Sequence, residues 1–186
     1  MMNKLNLQLN ESSDSKHSFF LLMEEITLAT CKQAVEWIFE ANFSEETPDR
    51  LNMVITSPGG DLNAAFALVD TMRGSSIPIR TIGLGQIASA GLMIFIAGEA
   101  GQRILTPNTS ILSHQYSWGA FGKEHELFAQ IKEFDLTTKR MIAHYRKCTG
   151  LKEEQIREYL LPPQDVWLSA QEAKKLGLCD DVKELK

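Results

Sequence analysis

Between Met53 and Leu84 the chain runs through an apolar triplet (MVI), the turn TSPGGD, and an amphipathic stretch from about Leu62 to Arg73. The breaker GSSIP and a second apolar run, Ile79–Leu84, complete the pattern. Strand, turn, helix, turn and strand in that order make a βαβ unit, whose strands lie parallel in one sheet while the helix covers a face. The flanking segments extend the alternation. Phe19–Met23 (FFLLM) is a short strand, and Thr30–Asn42 carries Ala34, Trp37, Ile38 and Ala41 at helical spacing. Arg103–Leu105 and Ser110–Leu112 are short strands around the turn TPNT. A long helix from about Lys123 to Cys148 stops at Thr149-Gly150, and two shorter helices follow with LPPQD between them. This pattern predicts an α/β domain on a mainly parallel sheet. No repeat, low-complexity tract or linker divides residues 1–186, and the polar, turn-rich residues 1–17 are expected to form a mobile arm.

Bulk properties narrow the function. With 186 residues, 44% of them hydrophobic, the chain is long enough for one sizeable core. A net charge of −5 argues against a nucleic-acid partner. Ser89, Gly91, Gly98 and Glu99 interrupt the most apolar region, so no segment has the roughly 20 apolar residues of a membrane span. The amino-terminal MMNKLNLQLNESSDSKHS lacks the long apolar run and cleavage site of a secretory signal, which predicts a cytoplasmic protein. Cys31, Cys148 and Cys179 are widely spaced, as expected of reduced structural thiols rather than a disulfide framework or a zinc site.

The segment GQIASAG, Gly85–Gly91, sets one hydroxyl between two apolar runs and surrounds it with small residues. Ser89 there is either a helix N-cap or a nucleophile whose neighbours are small so that a substrate can approach. A serine nucleophile needs a base, the base needs an orienting group, and the oxyanion needs preorganised N–H donors. Of four histidines, His17 lies in the polar arm, and His125 and His144 lie on the long helix. His114 alone follows an apolar strand (SILSHQ) directly before a glycine-containing loop. Asp165, in PQDVWLSA, is the best-placed acid. Gly59 and Gly60 in SPGG allow close backbone approach at a helix start, and the Ala90 amide follows Ser89. Each feature also has an ordinary structural role as cap, turn or loop acid, and singly none decides.

Taken in order, these segments resemble one family. ITSPGGDLNAAFALVDTM is similar to the S-P-G-G strand and helix of the proteolytic subunit of the Clp protease. GQIASAG resembles that family's nucleophile segment G-Q-x-A-S-x-G, and TPNTSILSHQ its L-P-N-S-x-x-x-x-H-Q. DVWLSAQEAKKLGLCDDV resembles its carboxy-terminal D-x-F-x-S-A-x-E-A-x-x-x-G-L-x-D. The resemblance runs from about Met53 onward. It implies a ClpP/crotonase-type fold of repeated ββα units with a projecting handle helix. Position by position, Ser89 is the implied nucleophile, His114 the base and Asp165 the orienting acid, with the Gly60 and Ala90 amides as the oxyanion hole. It further implies a serine endopeptidase cleaving unfolded polypeptides and short peptides, built as a homo-oligomer of two stacked heptameric rings. An AAA+ unfoldase feeds it and spends the ATP, so the peptidase itself needs no metal or organic cofactor. The competing readings are an inactive, structural ring subunit and a crotonase-type acyl-CoA enzyme.

Three departures concern partners rather than chemistry. The first fifty residues match poorly where the family builds its axial pore loops. Asn52 and Val54 stand where family members often carry two tyrosines of the unfoldase-docking pocket, which predicts weaker docking of the usual unfoldases or use of a different one. EYLLPPQD, ahead of Asp165, is about two residues longer than the family's charged stretch. The long helix carries Leu127, Ile131, Phe134, Thr138, Met141 or Ile142, and Tyr145 as one stripe. About 25 residues span roughly 37 Å, so part of it is expected to project. Phe128 lies off that stripe and, with Ile131, is expected at a ring–ring contact.

Overall fold

A computed structural model describes residues 16–185. The arm expected over residues 1–17 therefore falls outside the described residues except at its end, where His17 already belongs to a strand. Among the described residues, seven strands and six helices follow in this order: β1 (His17–Leu22), α1 (Leu28–Phe43), β2 (Arg50–Ser57), α2 (Leu62–Gly74), β3 (Ile79–Ala88), α3 (Ala90–Phe95), β4 (Arg103–Leu105), β5 (Ser110–Ser113), α4 (Glu124–Thr149), α5 (Glu153–Tyr159), β6 (Val166–Ser169), α6 (Ala170–Lys175) and β7 (Asp181–Val182). They form one sheet with β1, β2, β3, β4 and β7 in that spatial order, while β5 pairs with the far end of β3 and with β6. All pairings between these strands are parallel except β5–β6. The expected α/β architecture is the observed one.

Local chemistry explains where elements begin and end. The Asp61 carboxylate accepts the Ala64 N–H and caps α2; Gly150, at φ 75°, stops α4 in the left-handed conformation that glycine adopts freely. Leu51, Met53 and Ile55 alternate along β2 and pack beneath Ala34 and Ile38 of α1 and Leu68 and Val69 of α2 in one buried cluster. Each fully buried Leu, Ile, Val or Met side chain there contributes about 1.5–3 kcal/mol relative to exposure.

The opposite face of β2 holds a surprise. Asn52 is fully buried; its amide donates to the Ser18 carbonyl at 3.3 Å, and its oxygen accepts from Arg80 at 3.3 Å. The residue expected in a docking pocket is engaged within its own subunit. At the far edge, Arg103 and Asp180 form a bidentate pair that ties β4 to the segment before β7. Burial pushes the Asp180 carboxyl up, but hydrogen bonds and charge from Arg103 outweigh it and hold it below the usual range.

In α4, buried side chains are confined to Thr137, Met141, Ile142, His144 and Tyr145. None of the side chains from Glu124 to Leu136 is buried, so the amino-terminal half does not lie on the core. Among the described residues no helix is long and apolar enough to cross a membrane.

His144 fastens the other half of α4. Its Nε2–H donates to the Met93 carbonyl at 2.7 Å, and Nδ1 accepts from Arg73 at 2.6 Å, which fixes the neutral tautomer. Burial lowers its pKa to about 4, and the charges of Arg73 and Lys147 add to that against the Met93 hydrogen bond. Between pH 6.5 and about 4 the unfolded chain binds this proton while the native one does not, so stability falls as pH falls through that window. Urea denaturation should show wild type losing about 2–3 kcal/mol more than His144→Gln between pH 7 and about 4.5. Equal losses would contradict a buried neutral imidazole.

Candidate active site

Strand register alone brings three of the expected residues together. β3 and β5 run parallel, with Ala88 beside Leu112, and each ends within a residue of the next step. β5 and β6 run antiparallel, pairing Ser113 with Val166, so the next pair in that ladder is His114 with Asp165. Ser89 follows β3, His114 follows β5 and Asp165 precedes β6, all at the same end of three neighbouring strands. The Ser89 N–H donates to the Leu112 carbonyl at 2.9 Å and locks the first two together.

The side chains meet accordingly. His114 Nε2 lies 2.8 Å from Ser89 Oγ, and His114 Nδ1 lies 3.4 Å from Asp165 Oδ1. The first is a good hydrogen bond; the second is longer than the 2.7–3.2 Å usual for one. The Asp165 side chain is 62% exposed, whereas that of His114 is 23% exposed.

Ser89 occupies the N-cap position of α3 without capping it through its hydroxyl. Its side chain makes no capping bond, and its backbone sits at φ 52°, ψ −120°, the only non-glycine residue with positive φ among the described residues. That conformation belongs to the first central position of a type II′ turn, normally glycine. A serine kept there at a cost of about 1–3 kcal/mol aims its hydroxyl out of the strand–helix junction, an arrangement found at functional sites.

The small neighbours have a steric reason. A Cβ on Gly59 would come within 2.8 Å of Ser89 Cβ and 3.4 Å of the Ala90 nitrogen; a Cβ on Gly91 would sit 3.0 Å from Ser57 Cβ. The SPGG loop and the start of α3 are thus in direct contact. Gly60, at φ 143°, is pinned from behind, because Ile26 N–H donates to the Gly59 carbonyl at 2.8 Å and Asp61 N–H to the Ile26 carbonyl at 2.7 Å. Neither the Gly60 nor the Ala90 N–H is taken up in a turn or cap hydrogen bond among the described residues. Backbone N–H donors of this kind are what an oxyanion requires.

The other nucleophile candidates fall away. Burial raises the Cys31 and Cys179 thiols to about 11. Cys148 lies 3.8 Å from His144 Nδ1, an i,i+4 pair the sequence reading did not connect, yet burial pushes its thiol up against the pull of Arg73. All three are free cysteines. Phe128 and Ile131, at 65% and 47% exposure, lie on the unburied half of α4.

Comparison with known proteins gives a consistent result. The sequence model of the family described as Clp protease matches residues 12–186, so the likeness read from Met53 onward extends into the divergent amino-terminal part. Among solved structures, a mutant of ClpP1 from Listeria monocytogenes is similar at a TM-score of 0.78 and 26% identity, covering 89% of this chain and 91% of that one.

The strain at Ser89 is measurable. Ser89→Gly should raise stability by about 1 kcal/mol in thermal denaturation, because glycine takes this conformation freely, while Ser89→Ala should not. A glycine variant less stable than the alanine one would mean that the backbone there is unstrained.

Proposed function

The chain belongs to the Clp protease family, and from that premise we propose that it is a serine endopeptidase subunit using Ser89, His114 and Asp165. The carrying observation is the 2.8 Å contact between His114 Nε2 and the hydroxyl of a serine in a strained turn. His114 Nε2 takes the proton as Ser89 Oγ bonds to the scissile carbonyl carbon. The carbonyl oxygen becomes an oxyanion that the Gly60 and Ala90 amides receive. The same nitrogen then protonates the leaving amine as the C–N bond breaks, and water cleaves the acyl-enzyme by the reverse roles. Asp165 orients the imidazole through Nδ1; its 3.4 Å separation closes in the substrate complex. Side chains and backbone amides suffice for these steps, without metal or organic cofactor.

The substrates are unfolded polypeptides and short peptides. In this reading the chain is a single peptidase domain of a cytoplasmic homo-oligomer, two stacked seven-membered rings fed by an AAA+ unfoldase that spends the ATP. With Asn52 buried and Val54 beside it in place of an aromatic surface, the usual unfoldases dock weakly here or a different one is used. The ring–ring contact is made by the exposed half of α4, with Phe128 and Ile131 as its apolar anchors.

Hydrolysis of a fluorogenic peptide tests the chemistry. Ser89→Ala should remove turnover with the fold kept, and Asp165→Asn should lower kcat by about 10⁴, because the amide favours the wrong imidazole tautomer. Near wild-type turnover by the Ser89→Ala protein would refute the assignment. Light scattering tests the assembly. Phe128→Asp with Ile131→Asp should halve the particle mass to single rings, whereas an unchanged mass would move these residues out of the contact.

A further inference from the structure

Asp165 poses a positional problem. Its side chain is largely exposed, and among the described residues its carboxylate meets His114 alone. The β5–β6 ladder holds it from one side and ends at Val166. On the other side lies the loop 160–164, with no regular secondary structure beyond the end of α5.

Two residues flanking His114 grip that loop. The Ser113 hydroxyl donates to the Leu160 carbonyl at 2.6 Å, and Gln115 Nε2–H donates to the Leu161 carbonyl at 2.9 Å. Ser113 has one hydroxyl proton, already committed to Leu160. The Tyr145 hydroxyl, 2.9 Å away and protonated because burial pushes it up to about 12, is therefore the donor to Ser113 Oγ. Tyr145 is 2% exposed and sits on α4. Behind the same two peptide units, the Leu160 and Leu161 N–H groups both donate to the Ile156 carbonyl, and both leucine side chains are buried.

We propose that Tyr145, Ser113 and Gln115 are positioning residues that hold the 160–165 loop so that Asp165 stays opposite His114. This rests on the peptidase reading, since it assigns them a role in that reaction. The strand that delivers the base also carries, on either side of it, the donors that hold the acid. Tyr145 makes the packed half of α4 a third support. Misplacing a catalytic group by about 1 Å can cost on the order of 10²-fold in rate, so loosening one bond of three should be visible.

Tyr145→Phe and Gln115→Met each remove one donor at nearly constant shape, and Gln115 is a surface position whose variant folds. Hydrogen exchange of the peptide covering 160–166 should accelerate by about tenfold in each, with α1 unchanged. Peptide hydrolysis should show kcat down by about tenfold and KM within about twofold. In an Asp165→Asn background the same changes should cost less than about twofold more, because a residue acting through Asp165 has nothing left to position. Unchanged exchange would overturn the clamp, and an undiminished cost in the Asp165→Asn background would reduce it to general stability. A wild-type protein without hydrolysis would refute the peptidase reading instead, and the exchange result would still decide the clamp.

Discussion

The arrangement depends on strand register more than on any single contact. β3 pairs with β4 through Thr81–Gly83 and with β5 through Gln86–Ala88, so its last residues reach past the sheet's central ladder to meet a second one. A one-residue slip in either β5 ladder would turn His114 to the wrong face, because side chains alternate with period two. Register is held by burial: Ile87 and Ile111, neighbours across β3–β5, are both fully excluded from solvent. Burying those apolar side chains is what sets a histidine beside a serine 25 positions away.

Strain and crowding follow from the same geometry. For Ser89 to project from the end of β3, the chain must turn within one residue into α3, and only small residues leave room for the SPGG loop against that turn. Glycines at 59 and 91 are thus packing requirements. The unfavourable backbone at Ser89 persists because the buried residues of α3, Leu92 through Phe95, and the Ser89–Leu112 bond over-determine it.

Much of this was legible in the sequence, for reasons that also explain the misses. The βαβ units appear in apolar runs bounded by turn residues, and Arg103–Leu105 matches β4 in full. The apolar run Ile79–Leu84 predicts a strand ending at Leu84, yet β3 continues through GQIA to Ala88, because Gly85 and Gln86 break the apolar run where the strand passes between two ladders. β6 is not legible locally: VWLS is short and runs directly into the helix SAQEAKK, whose capping box (Ser169 with Glu172) dominates the local pattern. The N-cap position at Ser89 is the observed one, but the hydroxyl does not cap, because propensity describes the residue type and not the dihedral that tertiary packing imposes. Tyr145 reads as an apolar stripe position, and nothing local reveals that its hydroxyl meets Ser113. The signal that was available is Ser113 itself, a polar residue in register with Ile111 on a buried face and so in need of a partner.

The proposed reaction turns on an activated Ser89, and a fluorophosphonate probes that activation, since the reagent reacts with a serine only when a base and oxyanion donors are already in place. Incubation of the assembled protein followed by peptide mapping should give one adduct per chain, on Ser89, lost in the His114→Ala variant. No adduct, or an adduct on another residue, would contradict it.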